Sequence, residues 1–199
     1  MSFYAGGRAF VRAILKPFFR IRADGLENVP QGRGYLLACN HVSDWDPVIL
    51  GIAFPNDIHY MAKEELFHIP VLGSVLHGLG AFPVSRGKGD TEAIGNAVDI
   101  VKSGGVLGIF PEGTRFKDGK LHKMKSGAVV VASQTGGGIL PAAIQYGERR
   151  FLRRQVTVTF GVPISNCDLQ ITERSKSELR AANALLGGAI AQLLGVEAP

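Results

Sequence analysis

The chain has 199 residues, a formal net charge of +5 and two cysteines, which is the length of one domain. With 46% hydrophobic and 20% charged residues it can fill a packed core, which excludes global disorder. Cys39 and Cys167 are too few for a disulfide framework or a four-thiolate zinc site, so a reducing, cytoplasmic setting is expected.

The net charge is concentrated at the start. Residues 1–23 carry Arg8, Arg12, Lys16, Arg20 and Arg22 and no acid, while the remaining 17 bases and 17 acids cancel. Arg8, Arg12, Lys16 and Arg20 recur every four residues, and Phe10, Val11, Ile14, Leu15, Phe18 and Phe19 fill much of the remaining circumference. This spacing predicts a helix with a basic flank beside an aromatic-aliphatic face, kinked or split at Pro17. Such a helix can lie in a membrane interface, or pack on the protein's own core with its charges solvated. The first reading is taken forward: residues 1–23 form a basic membrane-interface segment, and residues 24–199 form the folded domain. No apolar run approaches the ~20 residues that span a bilayer, and the start lacks the apolar stretch of a secretory signal. A peripheral position on the cytoplasmic face of the membrane is therefore expected.

Strand and helix signals then alternate. Strands are predicted at Tyr35–Cys39, Ile58–Ala62, Ala81–Val84, Val106–Phe110, Ile139–Ile144 and Val156–Phe160. Helices are predicted at Asp44–Phe54, Ile69–Leu79, Asp90–Lys102, Lys123–Thr135 and Thr172–Leu194. Ala93, Ile94, Ala97, Val98 and Val101 follow helical spacing, Asp90 or Thr91 can cap that helix, and Gly104-Gly105 ends it. The alternation implies an α/β fold with a mixed, mostly parallel sheet covered by helices.

Three polar clusters each follow a predicted strand, where α/β sheets usually bind ligands. The first is Asn40-His41-Val42-Ser43-Asp44-Trp45-Asp46-Pro47. A turn and one helical turn can bring His41 and Asp46 into hydrogen-bonding reach, and a carboxylate on one imidazole nitrogen leaves the other as a base. Capping by Ser43 or Asp44 beside a structural histidine is the alternative. In the second cluster, Gly80–Gly87, Arg86 offers a planar fork for phosphate or carboxylate. In the third, Phe110-Pro111-Glu112-Gly113-Thr114-Arg115, Gly113 allows close backbone approach and Thr114 offers a hydroxyl. Arg115 offers a second fork, and Glu112 can anchor an arginine or accept from a substrate hydroxyl. Lys117, Lys120, Lys123 and Lys125 follow, favouring an anionic ligand or surface. Three clusters at strand ends imply one shared cleft.

Several features point away from other chemistries. His59, His68, His77 and His122 show no zinc spacing, so no metal site is expected. Cys39 reads as a small buried apolar residue. There is no Gly-x-Ser-x-Gly elbow, which disfavours a serine hydrolase. No nucleic-acid module is present and the body is charge-neutral, so no nucleic-acid partner is expected. The run Arg149-Arg150-Phe151-Leu152-Arg153-Arg154 can touch lipid or an acidic carrier protein, or simply be solvated.

The segment NHVSDWD resembles the N-H-x4-D signature of the glycerolipid acyltransferases. GAFPVSRG, FPEGTR and Ile139-Leu140-Pro141-Ala142 resemble the second, third and fourth blocks of that family, and Gly25–Pro30 its lead-in. The resemblance covers about residues 24–165 and is closest, in size and style, to the bacterial 1-acyl-glycerol-3-phosphate acyltransferases. It implies a glycerol-phosphate acyltransferase-like fold behind an amphipathic membrane anchor. It also implies acyl transfer from acyl-CoA or an acylated carrier protein, as co-substrate and with no cofactor, to the free hydroxyl of the lysophospholipid 1-acyl-glycerol-3-phosphate, giving phosphatidic acid. By that resemblance His41 is the general base and Asp46 orients it. Arg86 and Arg115 hold the acceptor phosphate, Glu112, Gly113 and Thr114 shape the pocket, and Lys63 matches a basic position at the phosphate site. The alternatives are the same chemistry on glycerol-3-phosphate or another lysolipid, or a non-catalytic lipid-binding or membrane-remodelling protein on the same fold.

Overall fold

The computed structural model describes residues 3–32, 34–70, 73, 76, 81–84, 90–116, 118 and 120–199, without the side chains of 3–5, 63, 66, 83, 84 and 90. In chain order its elements are α1 (Phe3–Leu15), β1 (Phe19–Asp24), a 3-10 turn (Leu26–Asn28), β2 (Tyr35–Cys39), α2 (Asp46–Ala53), β3 (Ile58–Lys63) and the short α3 (Glu64–Phe67). There follow β4 (Phe82–Val84), α4 (Asp90–Lys102), β5 (Val106–Ile109), α5 (Gly127–Thr135), β6 (Ile139–Arg150), β7 (Arg153–Phe160) and α6 (Lys176–Leu194).

The described strands form a seven-stranded sheet in the order β1-β7-β6-β2-β5-β3-β4. β2 pairs in parallel with both β5 and β6, β3 with β5 and β4, and β1 with β7. β6 and β7 form an antiparallel hairpin. The sheet is mixed and mostly parallel, as the alternation of strand and helix signals implies. All five residues of β2 are buried, because both faces of the central sheet are covered. Leu36 and Ala38 face α4, α5 and α6, together with Leu107 and Ile139. Leu37 and Cys39 face α2, packing with Ile49, Leu50 and Phe54. At the lead-in, Gly25 has φ +75°, and a Cβ there would sit 2.1 Å from the Phe160 carbonyl oxygen, so only glycine lets the chain pass this close to β7.

The N-terminal segment is broken at Pro17, as the proline predicts, but the part that follows is a strand and not a second stretch of helix. α1 stops at Leu15, before Pro17, and Phe19–Asp24 is an edge strand in register with Arg154–Thr159 of β7. The reason is legible in the pattern: after the proline, Phe19-Arg20-Ile21-Arg22-Ala23 alternates with the period of a strand. Arg20 and Arg22 point outward and charge an exposed sheet edge, one means of discouraging edge-to-edge association. Arg8 turns inward, its Nη1 donating to the carbonyls of Phe54 (2.9 Å) and Pro55 (2.8 Å) at the C-terminal end of α2. A cation there opposes the negative end of the helix dipole. Arg12 and Lys16 stay exposed beside exposed Phe10, Ile14 and Phe18, while Leu15 is buried.

Other boundaries shift. α2 begins at Asp46, α5 at Gly127 and α6 at Lys176, each later than the spacing predicts, because the residues before them form organised loops. β6 runs on to Arg150 instead of ending at Ile144. The predicted helix Ile69–Leu79 falls mostly outside the described residues. Among those residues no helix is long and apolar enough to cross a membrane.

Candidate active site

β2, β5 and β6 are parallel neighbours, so the segments leaving β2 and β5 meet at one edge of the sheet, beside the outer half of β6. Asn40 secures the end of β2: its Oδ1 accepts from Ile144 N (2.8 Å) and its Nδ2 donates to Ile144 O (3.2 Å), extending the β2–β6 ladder through a side chain.

The next residue is His41. Its Nδ1 stands 2.9 Å from Asp46 Oδ2, and the same oxygen accepts from the backbone N–H groups of Val42 and Ser43, both at 2.7 Å. Asp46 Oδ1 accepts from the Tyr146 hydroxyl at 2.7 Å. The Asp46 carboxyl is fully buried, and its donors compensate the loss of hydration that burial imposes. Pro47 supplies the fixed φ suited to the first turn of α2 and removes a backbone donor that would have no helical partner there. Burial, then the hydrogen bond to the Asp46 carboxylate, push the Tyr146 hydroxyl well above the usual tyrosine range, so it stays a donor.

With Nδ1–H directed at a carboxylate, Nε2 of His41 carries the free lone pair. Phe110 lies against the imidazole, ring centroids 4.1 Å apart and planes 21° from parallel. The backbone of His41 is held on both sides: its N–H donates to Glu112 Oε1 (2.8 Å) and its carbonyl accepts from Phe116 N (3.0 Å). Glu112 Oε2 accepts from His122 N at 3.2 Å. Glu112 is only 3% exposed, and burial pushes its carboxyl up while the two backbone N–H groups pull it down. It ties the loop after β2 to the loop after β5.

The remaining anticipated residues take varied places. Arg115 forms an ion pair with Asp44 at the surface, a contact sequence spacing does not show. Thr114 is exposed. Gly113 has φ +73°, and a Cβ there would meet the Lys125 side chain at 2.7 Å, so the lysine lies directly across this turn. Lys63 ends β3, with its side chain outside the described set, and Arg86 lies outside the described residues. Cys39 donates to Asn40 Oδ1 at 3.5 Å; burial pushes its thiol well up, and the nearby Asp46 and Glu112 charges add to this, so it is no ready thiolate. Among the described residues no three His, Cys, Asp or Glu side chains gather as metal ligands.

Sequence reasoning did not single out Tyr146, and it named Phe110 and Lys125 only as members of the cluster and basic loop after β5. Tyr146 is 100 residues from Asp46 but continues the inward alternation Ala142, Ile144, Tyr146 on β6, where a tyrosine at an inward position signals a hydroxyl needing a partner.

Residues 20–145 match the family model described as Acyltransferase. The chain is 34% identical over 171 residues to the 1-acyl-sn-glycerol-3-phosphate acyltransferase of Bacillus subtilis, covering 84% of each chain. It is 30% identical over 147 residues to the protein of that name from Borreliella burgdorferi, covering 73% of this chain and 58% of that one. The fold is that of the crystal structure of the 1-acyl-sn-glycerophosphate (LPA) acyltransferase from Thermotoga maritima, with a TM-score of 0.78, 24% identity, and coverage of 96% of this chain and 78% of that chain. The matched stretch contains the imidazole, its buried carboxylate and the Tyr146-bearing strand up to its neighbour Gln145, and on this match the chain belongs to the acyltransferase family.

Proposed function

We propose that this acyltransferase moves a fatty acyl group from a thioester, acyl-CoA or an acylated carrier protein, to the free hydroxyl of 1-acyl-glycerol-3-phosphate, giving phosphatidic acid. The observation that carries the reading is the 2.9 Å contact between His41 Nδ1 and a buried Asp46 carboxylate, in a relative of proteins named for that reaction. Nε2 of His41 takes the proton of the acceptor hydroxyl as its oxygen attacks the thioester carbonyl. The tetrahedral intermediate collapses, the C–S bond breaks, and the imidazolium returns the proton to the leaving thiolate. Asp46 fixes the tautomer and stabilises the imidazolium, and no covalent acyl-enzyme is needed.

Arg115 is proposed to bind the acceptor phosphate, and its pairing with Asp44, on the loop that also carries His41, supports that role. Its partner Asp44 is 77% exposed, and an exposed ion pair contributes only about 0–1 kcal/mol, so a phosphate dianion can replace it. Arg115→Ala should therefore lower kcat/KM roughly ten- to a hundredfold for phosphate-bearing acceptors, and much less for uncharged ones, without changing stability. Arg86 and Lys63 are proposed for the same role on the family resemblance alone.

The enzyme is proposed to work peripherally at the cytoplasmic face of the membrane, held in part by α1. Support comes from Phe10, Ile14 and Phe18, which are exposed alongside Arg12 and Lys16. The direct test is acyl transfer by the purified chain to 1-acyl-glycerol-3-phosphate, glycerol-3-phosphate and a neutral lysolipid, each with both donor types. A preference for glycerol-3-phosphate, or no transfer to any acceptor, would overturn the assignment.

A further inference from the structure

The tip of the β6–β7 hairpin combines features that each carry a local cost. The strands are joined by two residues, Phe151 and Leu152, with Arg150 facing Arg153 and Arg149 facing Arg154 across the ladder. Like charges directly opposite each other destabilise a strand pair. Phe151 has φ +53°, a backbone region that a bulky side chain rarely adopts and that glycine occupies freely. Its ring is nonetheless fully exposed, and Leu152 beside it is exposed too. Arg154 is committed within the protein, its guanidinium over the Tyr146 ring and its Nε donating to Gly147 O. Among the described residues, Arg149, Arg150 and Arg153 make no ion pair. An apolar apex collared by unpaired arginines complements a surface that is apolar within and anionic at its rim.

The position of the tip agrees. The Arg154 N–H donates to Phe18 O at 2.8 Å, fastening the hairpin to the turn after α1. Between them lies a groove of about 700 Å³, lined by Ile14, Phe18, Trp45, Tyr146, Arg149 and Leu152 among others. The exposed apolar side chains of α1 and those of the hairpin therefore flank one opening, and its floor reaches Tyr146, which contacts Asp46.

We propose that the hairpin tip is a second lipid-docking element: Phe151 and Leu152 insert into the interfacial zone of an anionic bilayer, while Arg149, Arg150 and Arg153 contact headgroup phosphates. Docked at α1 and at the tip together, the molecule turns the groove, and the His41–Asp46 pair beyond it, toward the leaflet. This extends the membrane association proposed above, and its test reads binding without turnover, so failure of the acyl-transfer reading leaves the result interpretable.

The full chain is sedimented with vesicles of phosphatidylcholine and phosphatidylglycerol, and with phosphatidylcholine alone. Phe151→Gly removes the apolar apex and relieves the backbone, so thermal stability should hold or rise while affinity for the mixed vesicles falls about tenfold or more. Arg150→Gln with Arg153→Gln should weaken binding to the mixed vesicles on the order of tenfold at low salt, and have little effect on phosphatidylcholine alone. In a Trp45→Phe background, which removes the chain's single tryptophan, F151W provides a reporter at the tip. Its emission should shift to the blue with mixed vesicles and be quenched by brominated lipid. Undiminished binding of Phe151→Gly, or a reporter that stays water-exposed on vesicles, overturns the proposal; α1 alone would then be the anchor. A reporter that responds to an acidic carrier protein and not to vesicles overturns it in favour of a protein partner.

Discussion

Two helices in this chain begin with the same device, a carboxylate that turns back on the loop before it. At α2, Asp46 gathers the N–H groups of Val42 and Ser43, the Tyr146 hydroxyl and the His41 ring. At α6, Glu178 gathers the N–H groups of Thr172, Glu173 and Ser175 and the Thr172 hydroxyl. Both arrangements satisfy backbone donors of the loop that leads into the helix. They differ in burial and in what the last donor is. Glu178 sits at the surface with a hydroxyl, and its effect ends with ordering a loop. Asp46 is fully buried with an imidazole, so the carboxylate that orders the loop also sets the ring's orientation and tautomer. A loop-ordering carboxylate becomes catalytic machinery when one of its donors is a side chain that can exchange a proton.

The strongest way to break that comparison is to remove the imidazole. His41→Ala is expected to lower kcat by about 10²–10⁴-fold while the fold survives, because Asp46 keeps its other donors. Steady-state kinetics with circular dichroism checks this, and near-normal turnover would reduce the site to a loop-ordering carboxylate like that of α6. Asp46→Asn should be as inactive and also less stable, since an amide turns a donor group toward some of the N–H and O–H donors that now converge there.

Glu112 sharpens the contrast within the site itself. It is a buried carboxylate whose described partners are backbone N–H groups, those of His41 and His122. Glu112→Ala leaves two half-buried donors unpaired, at up to about 1–3 kcal/mol each. Urea denaturation should show that loss, with activity falling in step because His41 loses its backbone support. An activity loss with unchanged stability would mean that Glu112 contacts substrate instead.

Tyr146 tests the middle of the range. Its hydroxyl donates to a charged acceptor, and such bonds are worth about 1.5–3 kcal/mol, so Tyr146→Phe should lower kcat roughly tenfold or more. As a positioning residue it should leave the acceptor KM nearly unchanged and move the pH profile of kcat. An effect on KM alone would place the tyrosine in the groove as a lipid contact.

The unequal legibility of these parts has physical causes. His41 and Asp46 could be paired from spacing because only a turn and the start of a helix separate them. The parallel sheet was legible because Tyr35–Cys39 and Val106–Phe110 are short apolar runs bounded by turn residues. Tyr146 was not, because its contact with Asp46 depends on β6 lying beside β2, and no local pattern records strand neighbours. The four-residue recurrence of Arg8, Arg12, Lys16 and Arg20 was misleading: three of the four lie on or beside α1, while Arg20 belongs to a strand whose period-2 pattern begins only after Pro17. The Ser175-x-x-Glu178 signal was present in the sequence, but the predicted helix start at Thr172 passed over it.

That signal carries the smallest expected effect and the other half of the comparison. Glu178 is N3 of a capping box in which the Ser175 hydroxyl accepts from Glu178 N while the Glu178 carboxylate accepts from Ser175 N. The Thr172 hydroxyl, then the Ser175 N–H, hold its carboxyl at about 2, below its ordinary value of 4.5. The folded chain thus takes up this proton less readily than the unfolded chain. The stabilisation is complete above about pH 4.5 and is lost as the pH falls toward about 2. Glu178→Gln keeps the shape but cannot carry the charge. It should lower the melting temperature slightly at neutral pH, and the gap from wild type should close as the pH is taken down through that window. Acyl transfer should be unaffected at neutral pH, because this carboxylate orders its loop with no proton-exchanging side chain among its donors. A Glu178→Gln protein with impaired turnover and unchanged melting would show that the α6 start communicates with the site, and the two devices would no longer be separable.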